Sequence, residues 1–275
     1  MIGFSLGLIL GIAAGGAVIV LLRRREAVIQ VNLERRAARA ERLAELGMLT
    51  GGLAHEIKNP LSTVQLNLQL LREDLADQTP TAEAEKKAVG RMLRRLESLS
   101  GETVRLREIL DDFLRYAGQI HPESQRTNMM ELCEDLIDFV MPQAQLGRVE
   151  LKLRGEPVAA EVDPRLIKQA LLNLLLNALQ HTPADGRVTL HCNAADLNHQ
   201  PGIALRVIDT GEGMDDETRG RVLDPYFSKR RGGTGLGLAI VRRIAEAHHG
   251  YVGVDSEPGQ GSTFSLLLPV KQPQT

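Results

Sequence analysis

Aromatic side chains make up only 3% of the chain, and tryptophan is absent. The cores must therefore be built from leucine, valine, isoleucine and alanine, which favours helix. The two cysteines, Cys133 and Cys192, form no C-x-x-C pair, so a disulfide framework or a zinc site is not expected. The spacing predicts two buried thiols in a reducing compartment. Charge of one sign is not in excess: 33 Lys and Arg stand against 35 Asp and Glu, a net of -2. A dedicated nucleic-acid binder is usually basic overall, so direct nucleic-acid binding is not expected. What is present is a 275-residue chain, 43% hydrophobic and 25% charged. That composition excludes a disordered tail or a collagen-like fibre and allows one to three packed modules.

Charge is unevenly placed. Residues 1–22 contain no charged side chain and are followed at once by Arg23, Arg24 and Arg25. About 20 apolar residues suffice for a helix to cross a bilayer. A cleaved signal peptide would place its basic residues before the apolar run, so a retained transmembrane helix is the favoured reading. The positive-inside rule then puts Arg23 and all that follows in the cytoplasm, with only Met1 outside. This predicts a single-pass protein of the cell (inner or plasma) membrane that meets lipid through residues 1–22. Gly3, Gly7, Gly11 and Gly15 recur every four residues, a row through which two membrane helices can approach closely, although glycine is also simply common in such helices. Residues 23–45 hold seven Arg and four Glu without Pro or Gly. They read as a juxtamembrane helical linker, either a marginal coiled coil or a solvated face beside anionic lipid.

Leu46, Leu49, Leu53, Ile57, Leu61, Val64, Leu68, Leu71 and Leu75 step by three or four, which is one apolar stripe on a long helix. A break at 77–81, with Pro80, precedes a second stripe through Val89, Leu93, Leu96, Thr103, Leu106, Leu110 and Phe113. Residues 46–118 are thus a helical hairpin. One hairpin cannot bury its own apolar face, whereas two copies make a four-helix bundle, so a homodimer is expected. His55 projects opposite the buried stripe. Glu56 adjoins it, Asn59 lies one turn on, and Pro60 leaves the Glu56 carbonyl without its helical donor, predicting a kink beside His55. An exposed imidazole, an adjacent carboxylate and a hinge form a plausible nucleophile site.

The run Ala54-His55-Glu56-Ile57-Lys58-Asn59-Pro60-Leu61 closely resembles the phosphoacceptor motif of the sensor histidine kinases of two-component signalling. The resemblance implies that His55 attacks the γ-phosphate of ATP with Glu56 as general base. It also implies that Glu56 and Asn59 support dephosphorylation of a response regulator, with Asn59 positioning water.

After a compositional break at 117–127, the remainder (119–275) reads as an α+β layer with an antiparallel or mixed sheet covered on one face. Helices are expected over 128–141, 164–180 (capped by Asp163) and 235–248, and strands over 149–153, 187–193, 203–208, 251–255 and 262–268. Asn173 and Asn177 share one face of a very apolar helix, where amides need partners and invite a ligand or ion. Asp209-Thr210-Gly211-Glu212-Gly213-Met214 follows a strand. An ionised carboxylate there accepts hydrogen bonds, as from an exocyclic amine, and the glycines let backbone approach a ring. Gly232-Gly233-Thr234-Gly235-Leu236-Gly237-Leu238 opens a helix and can cradle phosphate. Between them, Pro225 to Arg231 joins aromatics to three cations, a lid over anionic phosphates or a solvated loop.

Together these segments resemble the asparagine box, the two glycine boxes and the aromatic box of the histidine-kinase ATP-binding domain, a sandwich shared with gyrase and Hsp90. The resemblance implies adenine recognition by Asp209 with Gly211 and Gly213, and Mg²⁺ coordination by Asn177. It implies phosphate binding by Asn173 and by Gly233, Thr234, Gly235, Leu236 and Gly237. Gln180 stands where relatives often carry a basic residue, so Lys229 or Arg230 is expected to supply that charge. His248-His249-Gly250 replaces the common His-Gly-Gly, with a local backbone effect expected. Gyrase-type relatives place a water-activating Glu four positions before the metal-binding Asn; here Asn173 occupies that place, favouring transfer to His55 over hydrolysis. The expected partners are a second copy of the chain and a response regulator receiver domain. Two other readings are a protein acting mainly as a phosphatase of its regulator, through Asn59, and a non-catalytic ATP-binding scaffold, which would show a damaged asparagine or glycine box.

Overall fold

The structure is a computed structural model that describes Gly47 and residues 51–54, 56–75, 82–197, 199–229 and 233–271. The chain divides into two compact units, Met1–Gly52 and Leu53–Thr275. In the first, Gly47, Gly51 and Gly52 are helical. The expected membrane helix of residues 1–22 and the linker helix of 23–45 lie outside the described residues, as do His55 and Arg230. Among the described residues no helix is long and apolar enough to cross a membrane.

The second unit begins with helix α1, residues 56–75, which continues through the buried Pro60. Helix α2, Ala82–Ala117, follows. Asp74 on α1 takes ion pairs from Arg91 and Arg95 of α2, and Arg95 also donates to the Leu70 carbonyl. These polar ties fix how the two helices lie side by side. Several stripe leucines, among them Leu61, Leu68, Leu93 and Leu96, remain exposed in the single chain.

The α/β part runs β1 (Gln125–Asn128), α3 (Met129–Leu146), β2 (Glu150–Gly155), β3 (Ala159–Val162), α4 (Pro164–His181), β4 (Arg187–Leu197), β5 (Gln200–Asp209), α5 (Asp216–Arg221), α6 (Gly237–Ala247), β6 (Tyr251–Ser256) and β7 (Ser262–Pro269). The main sheet has the order β2-β4-β5-β7-β6; β2 and β4 are parallel and the other pairs antiparallel. Alternate residues Val188, Leu190 and Cys192, then Ile203, Leu205 and Val207, then Phe264, Leu266 and Leu268 are buried. Period-two burial means that one face is covered, and α3, α4 and α6 provide the cover, burying Leu136, Leu171, Leu174, Leu175 and Ile240. Cys133 on α3 and Cys192 on β4 are buried and unoxidised. The hydrogen bond to Cys192 and burial push the Cys133 thiol up, so it stays protonated.

Three local expectations change. The segment 117–127 is not wholly a connector: from Gln125 it forms β1, paired antiparallel with β3. Helix α3 does not stop before Pro142 but runs through it to Leu146. The carbonyl that Pro142 deprives of a donor belongs to Asp138, which is exposed to solvent and can be hydrated there. A short helix, α5, follows the first glycine box, capped by Asp215, which accepts from the Thr218 N–H at 2.7 Å.

Candidate active site

Helix α4 is built to hold asparagines in place. Asp163 caps it by accepting from Arg165 and Leu166, Pro164 opens it, and its buried leucines pin it to the sheet. Asn173 and Asn177 then project from the less buried side. Asn173 Nδ2 donates to the Gly237 carbonyl at 3.0 Å, tying α4 to the first turn of α6. Asn177 makes no hydrogen bond among the described residues and lines a cavity of about 540 Å³. That volume lies within the range of small-molecule pockets.

Asp209, at the end of β5, closes the inner wall. It is 4% exposed, and its Oδ1 accepts from Gly211 N at 2.8 Å and Ser262 N at 3.2 Å. Oδ2 has no hydrogen bond among the described residues. Burial raises its pKa above the ordinary carboxylate value, while the two amides pull the other way. Gly213 has φ +66°, and a Cβ there would sit 1.9 Å from the Glu257 carbonyl oxygen, so only glycine lets the loop pass at that distance.

The outer wall is electrostatic. Lys229 Nζ reaches Asp215 Oδ2 at 3.4 Å, and Asp215 is held at about 2 by its hydrogen bonds to Thr218 and by Lys229. Gly233, Thr234, Gly235 and Gly237 line the cavity beside Lys229, at the start of α6. Helix N-termini carry unsatisfied N–H groups and a partial positive charge, which suit phosphate.

The cavity thus brings together Asn173, Asn177, Asp209, Gly213, Lys229, Gly233, Thr234, Gly235 and Gly237. Two residues expected in it do not line it. Gly211 serves behind Asp209 as an amide donor, and Leu236 turns its side chain into the core. Glu212, Met214, Asp215, Thr218, Ser262 and Phe264 line it without having been singled out as ligand contacts. Thr218 belongs to α5 and Asp215 caps it, and a helix of six residues is too short for a periodic signal. Ser262 and Phe264 are brought in by β7 pairing with β5. Glu56 and Asn59 sit on α1 and are not among the residues that line the cavity, although Glu56 lies close enough to Tyr226, next to the lining Phe227, to add to burial in pushing that phenol up. Glu56 is 3.8 Å from Arg105 of α2, and Asn59 is exposed.

Two family models match the chain: the histidine kinase-, DNA gyrase B- and HSP90-like ATPase over residues 162–272, and the His Kinase A phospho-acceptor domain over residues 45–121. The signal transduction histidine-protein kinase AtoS of Escherichia coli (strain K12) is 33% identical over 239 residues, covering 86% of this chain. The chain belongs to the sensor histidine kinases. Among solved structures, full-length ShkA in complex with AMPPNP is similar at TM-score 0.56 and 28% identity, with 81% of this chain and 46% of that one covered. Histidine kinase ThkA, in complex with the response regulator protein TrrA, matches at TM-score 0.67 over 87% of this chain and 66% of that one. At 23% identity ThkA shows the fold alone. The chain spans 37% of AtoS and no more than half of the other curated relatives it matches.

Proposed function

We propose that the protein is a membrane-anchored sensor kinase that binds ATP with Mg²⁺, phosphorylates itself on His55 and passes the phosphoryl group to an aspartate of a response regulator. The observation that carries this reading is one cavity lined by a buried carboxylate, two asparagine amides and a glycine-rich helix start. A ring amine fits the free Oδ2 of Asp209, and a phosphate chain fits the N–H groups at the start of α6. Asn177 offers a free amide oxygen. Among the described residues no cluster of His, Cys, Asp and Glu could hold a metal by itself. Asn177 would hold an Mg²⁺ ion beside the phosphates, and the ion would offset their charge. No carboxylate stands at 173, and Asn173 is committed to Gly237, which favours holding ATP for transfer over hydrolysis. Glu56 adjoins His55 in the chain and is the carboxylate proposed to take its proton. Residues 1–22 serve as the membrane anchor, with the kinase domains in the cytoplasm and the exposed hairpin leucines covered by a second copy.

The test is incubation of the full chain in nanodiscs with γ-labelled ATP and Mg²⁺, beside a His55→Gln variant. Acid-labile, base-stable label on the wild type alone is the expected result. Label on both proteins, or none on wild type that binds ATP, would overturn phosphorylation at His55.

A further inference from the structure

Thr234 enters the reading above only as part of the phosphate loop, and Asp112 of α2 does not enter it at all. The structure joins them. Thr234 Oγ1 donates to Asp112 Oδ2 at 2.8 Å, and the same hydroxyl accepts from Leu236 N at 3.3 Å. The hydroxyl is thereby oriented: its proton is committed to the carboxylate and one lone pair to the N–H of Leu236, the N-cap residue of α6. Two neighbouring contacts hold the pair in place. Arg243 of α6 donates to the Gly118 carbonyl at 2.9 Å, just past the end of α2, and its guanidinium lies 5.0 Å from the ring centroid of the buried Tyr116. Asp112 is therefore not a loose surface carboxylate. It is a fixed negative charge against a residue that lines the cavity, beside the helix start where phosphates would bind.

The geometry points to Asp112 as an unassigned part of the nucleotide site: an internal anion that holds the phosphate-loop hydroxyl and opposes the entry of nucleotide phosphates. The inference rests on the nucleotide-kinase reading above. Its physical content is selectivity by charge. A nucleoside without phosphates meets no penalty from Asp112, whereas a triphosphate meets a like charge and competes for Thr234. Linkage makes the effect reciprocal: by whatever factor the Thr234–Asp112 contact weakens triphosphate binding, a bound triphosphate weakens that contact. Loading the site would then free the phosphate loop from the hairpin.

The test compares binding of ATP and of adenosine, with Mg²⁺, to the full chain and to Asp112→Asn and Asp112→Glu. Asparagine keeps the shape and an acceptor for Thr234 while removing the charge. Asp112→Asn is expected to bind ATP about five- to tenfold more tightly, a typical size for coupling between sites, with adenosine unchanged. Asp112→Glu, which keeps the charge, is expected to show no such gain in ATP affinity. Unchanged or weaker ATP binding by Asp112→Asn overturns the inference, and so does an equal gain for adenosine, which would mark a general change in the pocket. Wild type that binds neither ligand overturns the nucleotide reading itself. Should Asp112→Asn not fold, wild type alone decides: backbone hydrogen exchange over residues 112–118 is expected to be faster with ATP than with adenosine, and equal exchange overturns the proposal.

Discussion

His248 is fully buried and works at both ends of its ring. Its Nε2 accepts from the Asp163 N–H at 3.0 Å, and Nδ1 lies 2.8 Å from the Ile244 carbonyl, to which it donates. A proton added at Nε2 would face a donor, and burial lowers the pKa of the ring. Asp163 in turn caps α4, the helix that carries Asn173 and Asn177. The sign follows from linkage: below histidine's ordinary value of about 6.5 the unfolded chain takes up a proton that the folded ring refuses, so stability falls as pH drops through that window. His191, lowered by burial and by Arg154 and Arg206, acts in the same direction. Thermal unfolding between pH 7.5 and 5.5 should show wild type losing more stability than His248→Gln, by up to about 1.4 kcal/mol per pH unit for one proton. Parallel pH slopes in the two proteins would remove this role for His248. Asp209, Asn173 and Asn177 were legible because a polar residue stands alone among apolar or glycine neighbours. His248 was not. Its partner lies 85 positions away, and a histidine near a helix end carries no local mark of what it will meet.

At the scale of elements, the loop before α6 and the lid segment act as one piece. Gly235 has φ +64°, and a Cβ there would lie 2.5 Å from the Tyr226 carbonyl carbon. Tyr226 N donates back to the Gly235 carbonyl at 3.0 Å, and Tyr226 itself sits at φ +61°. Gly235→Ala must therefore push residues 225–229 away from the helix start. Backbone strain of this kind costs about 1–3 kcal/mol, and at least a tenfold loss of ATP affinity is expected by titration, with far-ultraviolet circular dichroism unchanged. Wild-type affinity in this variant would show that the lid and the loop are not coupled. Long elements with a strong period, such as α2, α4 and β5, could be read from spacing alone. β1 and β3 could not: each is four residues long, and β3 reads Ala-Ala-Glu-Val. They exist as a pair, because strand propensity is mostly the packing a partner supplies. The continuation of α3 past Pro142 was likewise hidden, since the sequence does not say that the carbonyl losing its donor will face water.

At the scale of the whole molecule, the hairpin is incomplete as a single chain. Leu93 is 57% exposed, Leu96 53% and Leu110 47% on α2, and on α1 Leu61 is 45% and Leu68 49% exposed. These positions belong to the two stripes that the spacing alone identified as core. Ile109, next to Leu110 and outside the stripe, is 1% exposed instead, so the hairpin's exposed leucines are not a consequence of poor packing throughout. Fully burying a leucine is worth about 1.5–3 kcal/mol. Several buried on each of two copies exceed what a micromolar dimer requires, even after the entropy of association. A charge at the centre of that face reverses the balance, because an ionised carboxylate cannot be buried without a partner. Leu96→Glu is therefore expected to convert a dimer at micromolar concentration into a monomer in sedimentation velocity runs, with the α/β part still folded and its nucleotide site intact. Substitution of the exposed Phe139 on α3, which is off the hairpin, should leave the sedimentation unchanged. A monomeric wild type, or a dimeric Leu96→Glu, would mean that something other than a second copy covers these leucines.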